Sequence, residues 1–231
     1  TQYDSNTFYD MTADLKVTDY PGNNYYMWDA QEQYWEGHEW TEDYEVGQRQ
    51  PTLPKQEAGA YDQDHNYPSR WYHEGSGAPF NATESCVNLP NEMTWYAEKG
   101  DPRWDADQLW STMGHLHKGG MWFKKKEYID GYNKETAVDG TDWRIQENVK
   151  SWSVSKMPPS AGDASNYFYL PALGFYENGS FKHVDIYGCY WSSSAKPSVK
   201  KKAYGLILES GNVNVSNEYL RSRGYRVGEF K

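Results

Sequence analysis

The chain reads as an α+β domain, with two helices near its middle and then a crowd of short strands closing a twisted, mainly antiparallel sheet with long loops. Three observations point there. Eleven Trp and 21 Tyr among 231 residues, against low aliphatic content, suit strands and turns and oblige aromatic rings to fill much of the core. Beyond Trp143, short apolar runs alternate with clusters of Gly, Asn and Ser, as strands do between turns. Upstream, Leu89-Pro90 opens a stretch with helical spacing. The length allows one large domain or two small ones with a sizeable core.

Taken in order, residues 1–80 read as an aromatic, acidic, loop-rich segment packed on the core, and residues 81–231 as the domain proper. Pro21-Gly22-Asn23-Asn24, the stretch 47–54 and Gly75-Ser76-Gly77-Ala78-Pro79 punctuate the first segment. Between them lie aromatic islands, Tyr25-Tyr26-Met27-Trp28, Tyr34-Trp35 and Trp71-Tyr72, which are too aromatic for a disordered linker. The first helix begins at Leu89-Pro90, carries Met93, Tyr96 and Ala97 on one face and ends at Gly100-Asp101-Pro102. A second is predicted over 105–113 from the stripe Leu109, Trp110 and Met113. Residues 119–123 read as a turn into a strand. Further strands are predicted over 151–156, 167–170, 180–184, 188–192, 203–208, 213–216 and 224–227. The pair 203–208 and 213–216 forms a hairpin around Ser210-Gly211-Asn212.

The net charge of −10 is unevenly placed. Residues 1–75 hold 15 acidic and 4 basic residues, net −11, while the remainder holds 18 and 19, net +1. No broad basic surface is available to displace counterions, which argues against nucleic acid as a partner. Lys124-Lys125-Lys126 and Lys200-Lys201-Lys202 read as solvated ends of loops or strands. No stretch approaches the roughly 20 apolar residues that span a bilayer, and the start lacks a signal-like apolar run, so membrane insertion is not expected. The reading is of a soluble chain, as a mature form or an excised fragment. Cys86 and Cys189 lack the spacing of a zinc knuckle. They could close one long-range disulfide in an oxidising compartment or stand as two separate buried thiols.

The order of motifs in the second half carries a resemblance. Leu170-Pro171-Ala172-Leu173-Gly174 is followed by Tyr190-Trp191-Ser192-Ser193, the apolar strand Tyr204 to Leu208, the Asn-rich hairpin Gly211 to Asn217, and Arg221-Ser222-Arg223-Gly224-Tyr225-Arg226-Val227. This series is similar to the C-terminal half of the Fibrobacter succinogenes major paralogous domain. The block Cys86 to Tyr96 resembles that family's helix opened by Leu-Pro, and its continuation to Phe123 resembles versions attached to Bacteroides fimbrial proteins. The similarity covers about residues 86–231. It implies a C-type lectin-like fold, an extracellular, cell-surface or fimbrial location, and no cofactor. The final Arg226-Val227-Gly228-Glu229 departs from the family's usual ending, so no role is carried over to those residues.

Several chemistries can be weighed from the residues. Gly37-His38-Glu39-Trp40-Thr41-Glu42 lacks the second His of a zinc protease helix. His115 and His117 could share a strand face as metal ligands, but no third ligand follows from spacing, so no metal is expected. The calcium-binding signatures of sugar-binding C-type lectins are absent, and Trp191-Ser192-Ser193 stands where Trp-Asn-Asp would be. Formylglycine-generating enzymes share the general fold and use two nearby cysteines, whereas Cys86 and Cys189 lie in unrelated segments. Asp29, Glu32, Glu36 and Glu39 could supply a glycosidase pair only if folding set two of them face to face. No catalytic residues are assigned.

Binding remains. Sugars stack C–H faces on aromatic rings and donate hydroxyl hydrogen bonds to nearby carboxylates and amides. Trp28, Asp29, Tyr34, Trp35 and Trp40 supply both ingredients and are the predicted ligand site. Trp95 and Trp191 are expected in the core, and the connection 176–180 with 183–187 is a second candidate surface. The expectation is a non-enzymatic cell-surface adhesion domain of a fimbrial, pilus-tip-like protein, binding a host or bacterial glycan or a protein ligand and joining other pilus subunits. The alternatives are a structural pilus or matrix subunit without ligand, or a secreted carbohydrate-active enzyme or its accessory module.

Overall fold

The computed structural model describes residues 17–36 and 68–230. In chain order these form β1 (Thr18–Asp19), β2 (Tyr25–Tyr26), α1 (Pro90–Glu98), β3 (Arg103–Thr112), β4 (His115–Lys124), β5 (Val149–Ser153), β6 (Tyr167–Pro171), β7 (Leu173–Glu177), β8 (Ser180–Val184), β9 (Gly188–Ala195), β10 (Lys202–Glu209), β11 (Asn212–Leu220) and β12 (Tyr225–Arg226). The class is α+β, with sheet dominating.

One mixed sheet has the order β1-β3-β4-β6, with β1 parallel to β3. The other runs β2-β12-β9-β10-β11-β5 and also takes in β7 beside β9 and β8 beside β7. Strands β7 and β12 lie parallel to β9, and the remaining pairings are antiparallel.

Helix α1 starts where sequence places it. Pro90 occupies the first turn, where its missing N–H costs nothing, and the Glu92 carboxylate accepts a hydrogen bond from the Leu89 N–H at 2.6 Å. Met93, Tyr96 and Ala97 are buried along one face, as their spacing predicts. The β10–β11 hairpin also forms as predicted, with Glu209 paired to Asn212 across Ser210-Gly211.

The predicted helix over 105–113 is instead strand β3. Two local features hide it. Between Asp105 and Leu109 the register against β4 slips, and the Asp105 carboxylate accepts from the Asp107 and Gln108 N–H groups at 3.1 and 3.0 Å. This bulge breaks the alternation that marks a strand and leaves Leu109, Trp110 and Met113 at helix-like spacing. The strand then reverses through Met113-Gly114, both with positive φ (50° and 76°), a two-residue hairpin turn without the usual Asn-Gly signal. Likewise, the segment around Asn178 is a tight β7–β8 hairpin and not a long loop. Asn178 and Gly179 hold its turn at positive φ, and Tyr176 is buried.

Two hydrophobic cores result. The first lies between α1, the inner face of β3-β4-β6 and one face of β10-β11, and includes Met93, Tyr96, Met121, Phe123, Leu206, Leu208, Val213 and Val215. The second gathers Tyr25, Met27, Trp28, Tyr34, Trp35, Trp110, Tyr176, Trp191 and Tyr225. Alternation along β9 supplies both, Tyr190 going to the first and Trp191 to the second. The expected core role of Trp191 holds. Trp95 is half-buried against the first core, and its indole N–H donates to the Thr136 carbonyl at 2.7 Å. Cys86 and Cys189 are free thiols, so the disulfide reading gives way to the alternative of two buried cysteines. Burial pushes both thiols well up, which makes them poor nucleophiles.

Candidate functional site

The aromatic residues expected at a ligand site are inside the protein. Trp28, Asp29, Tyr34 and Trp35 are all buried, and Trp40 lies outside the described residues. With few aliphatic residues to fill it, the second core draws its volume from these rings, which therefore present no open face for stacking.

Each has structural work. Trp28 donates its indole N–H to the Ser192 carbonyl at 2.8 Å, and its ring meets both the His73 imidazole (5.9 Å, 16° between planes) and the Arg221 guanidinium (4.4 Å). Tyr34 stacks on Tyr176 at 5.1 Å, and its hydroxyl accepts from the Gly179 N–H at 3.1 Å. Trp35 meets Tyr176 edge-on at 5.7 Å.

Asp29 sits in a left-handed backbone conformation with φ of 54°. Its carboxylate accepts from the Thr83, Glu84 and Ser85 N–H groups at 2.7, 2.8 and 3.0 Å, and pairs with His73 Nδ1 at 2.8 Å. A fully buried carboxylate needs such donors, and here they join the N-terminal segment to the chain that leads into α1.

Arg221 completes the arrangement. It is buried, donates from Nε to the Lys202 carbonyl at 2.9 Å and from Nη1 to the His73 and Gly75 carbonyls at 2.9 and 3.0 Å, and its backbone carbonyl accepts from the Trp28 N–H at 2.9 Å. Burial lowers its pKa to about 10. Downstream in the same motif, Arg223 pairs with Glu177, and Gly224 lies so close to Tyr34 that a Cβ would stand 2.6 Å from its ring. The Arg-Ser-x-Gly motif is thus a clasp for the N-terminal segment.

Above this clasp a cavity of about 360 Å³ opens to solvent, lined by Asp29, Gln31, Ser69, Trp71, Tyr72, His73, Thr83 and Glu84. Three separate segments build it, and the hydrogen bonds of the Asp29 carboxylate to His73, Thr83 and Glu84 hold all three together. Trp71 is half-buried against the second core, with Tyr72 at 4.6 Å, and its indole N–H donates to Glu74 at 3.0 Å. The Ser69 hydroxyl donates to Glu32 at 2.6 Å. Gln31, Thr83 and Glu84 are exposed on the rim. The cavity therefore combines an aromatic wall with hydroxyl, amide and carboxylate groups. Trp71-Tyr72 was legible as an aromatic island, but its partners at 29–31 and 83–84 become neighbours only on folding.

The remaining sequence candidates do not join it. His117 stacks on Trp110 at 4.7 Å, and its Nδ1 lies 3.2 Å from Asp185 Oδ1. Among the described residues no group of three His, Cys, Asp or Glu is placed to hold a metal ion. The 183–187 stretch lies elsewhere, beside the end of β4 that His117 occupies. His38 and Glu39 lie outside the described residues. Among those residues no helix is long and apolar enough to cross a membrane. Compared with known proteins, the chain matches no family model, and no curated protein and no solved structure matches it.

Proposed function

We propose that this is a non-enzymatic, extracellular adhesion domain of the C-type lectin-like class, of the kind carried by fimbrial, pilus-tip-like surface proteins, and that it holds its ligand in the Trp71 cavity. The single observation that carries the binding reading is this cavity: a half-buried indole beside Gln31, Ser69, Thr83 and Glu84, in a volume at the lower end of the roughly 300–1,000 Å³ typical of small-ligand sites. An indole face and convergent hydroxyl and carboxylate groups are what a sugar ring or a small side chain needs.

The fimbrial and lectin-like assignment rests on the ordered motifs, which here fall on residues that make the fold. Trp191 is core, Arg221 is the buried clasp and Gly224 is a point of close approach. Residues of that kind speak for a shared framework, and the ligand residues are a different set. A structural subunit without ligand is the second reading, favoured by the burial of Trp28, Tyr34 and Trp35. Truncating those residues costs stability under either reading, so they cannot decide between the two. Trp71 can. Specific retention on a broad glycan array, with and without calcium, that is lost in Trp71→Ala while the fold persists supports the adhesin. A folded wild-type chain that retains no glycan and no protein ligand favours the structural subunit.

A further inference from the structure

From the charges around the cavity we infer that its ligand is an amino sugar with a free amine, as in a de-acetylated glucosamine oligomer. This deepens the adhesin reading and rests on it. Glu84 lines the cavity, and its carboxylate makes no hydrogen bond or ion pair with any described residue. Glu32 and Glu74 stand behind the lining residues Ser69 and Trp71, to which they are bonded. Asp29 at the floor is already satisfied by three close backbone N–H groups and His73. Among the described residues the adjacent cations are turned away. Arg70 is buried with Nη1 on the Tyr34 carbonyl, and Arg221 is buried with Nε and Nη1 on carbonyls.

An anionic ligand would thus meet negative charge that no described residue pairs, while an ammonium would find Glu84 on the rim and the Trp71 indole beside it. The rest of the lining decides between sources of that ammonium. A lysine side chain has no use for Gln31, Ser69 and Thr83, whereas the hydroxyls of a pyranose ring do, and its C–H face matches the Trp71 indole.

The test is calorimetric titration of the whole chain with matched glucosamine tetramers, one N-acetylated and one with free amines, and with Nα-acetyl-lysine amide, at low and high salt. The free-amine tetramer should bind about tenfold tighter than its acetylated partner. Salt should shrink that preference, and Glu84→Gln should close it. Glu84 is exposed and gives only its backbone N–H to the fold, so this variant should melt as the wild type does. Equal binding of the two tetramers overturns the amine assignment and leaves the adhesin standing. Tighter binding of the lysine amide overturns it in favour of a protein ligand. Binding of neither tetramer overturns it as well, and whether the glycan array is also silent then tells whether the adhesin reading falls with it.

Discussion

The two cores of this molecule are built on different principles. In the first, regular elements meet: one helix face and alternate residues of β4, β6, β10 and β11 interdigitate, and the fit is set by period. In the second, much of the chain is irregular. Residues between 25 and 35 and around Tyr72 reach it through single aromatic side chains, fixed by hydrogen bonds that Trp28 and Arg221 donate and Asp29 accepts. Where periodicity is missing, directional polar bonds to buried backbone groups take over the task of specifying position. Both cysteines belong to the second core, so thiol labelling reports on that region alone.

That contrast is open to attack from both sides. The largest effect is expected from Arg221→Ala. It strips charged donors from the Lys202, His73 and Gly75 carbonyls and removes the cation from Trp28, a loss of about 5 kcal/mol at ordinary per-bond values. Urea melts give the loss. Labelling of Cys86 and Cys189 under native conditions should rise by more than the global stability predicts, because the clasp opens locally. Leu206→Ala, in the first core, should cost about 3 kcal/mol as a buried cavity. Its thiols should label only in step with global unfolding. Identical relations between labelling and stability in the two variants would mean that the cores open as one unit, and the distinction drawn above would fall.

A smaller effect sharpens the geometry of the clasp. In Gly224→Ala the new methyl would meet Tyr34 Cδ2 at 2.6 Å and Tyr176 Cβ at 3.0 Å, so the stacked ring pair must shift. Overpacking of this kind costs about 2 kcal/mol. Near-ultraviolet dichroism should change, since the tyrosines move, while far-ultraviolet dichroism should not. A variant as stable as the wild type with an unchanged aromatic signal would show that Gly224 is not the tight point described here.

The same division decides what could be read from sequence. Helix α1 and the β10–β11 hairpin carry local cues, Pro at the first turn and a short Gly-containing loop, and both appear where expected. Strand β3 was hidden by its bulge and by the Met113-Gly114 turn, since local cues mislead when a strand loses register. Trp28 and Trp35 looked exposed because their neighbours in sequence are polar. What buries them is Arg221, Ser192 and Tyr176, brought from the far end of the chain. For the candidate site the first half was visible, as the ingredients were an aromatic island and acidic residues. Which ring borders a cavity depends on how each island packs on the second core, Tyr72 going inside it and Trp71 only partly, and no window of sequence holds that information.

The smallest expected effect concerns acid, and it compares an ion pair from each region. Asp142 supports the loop beside α1. Its hydrogen bond from Arg144, with help from Asn91, holds its carboxyl below the usual range against a partial burial that raises it. Glu177 binds Arg223 of the clasp. Burial pushes it up, but Lys182 and Arg223 together outweigh that and lower it. A carboxyl whose folded pKa is depressed adds stability above its unfolded value and loses it as pH falls through the folded one. Both pairs therefore help at neutral pH and fail below the ordinary carboxylate range. For partly exposed pairs the contribution is about 1 kcal/mol or less. Asp142→Asn and Glu177→Gln should each flatten the acid limb of the stability curve slightly, and only Glu177→Gln should also speed thiol labelling at neutral pH. If Asp142→Asn speeds it equally, the loop beside α1 and the clasp are coupled, and the boundary between the two cores lies elsewhere.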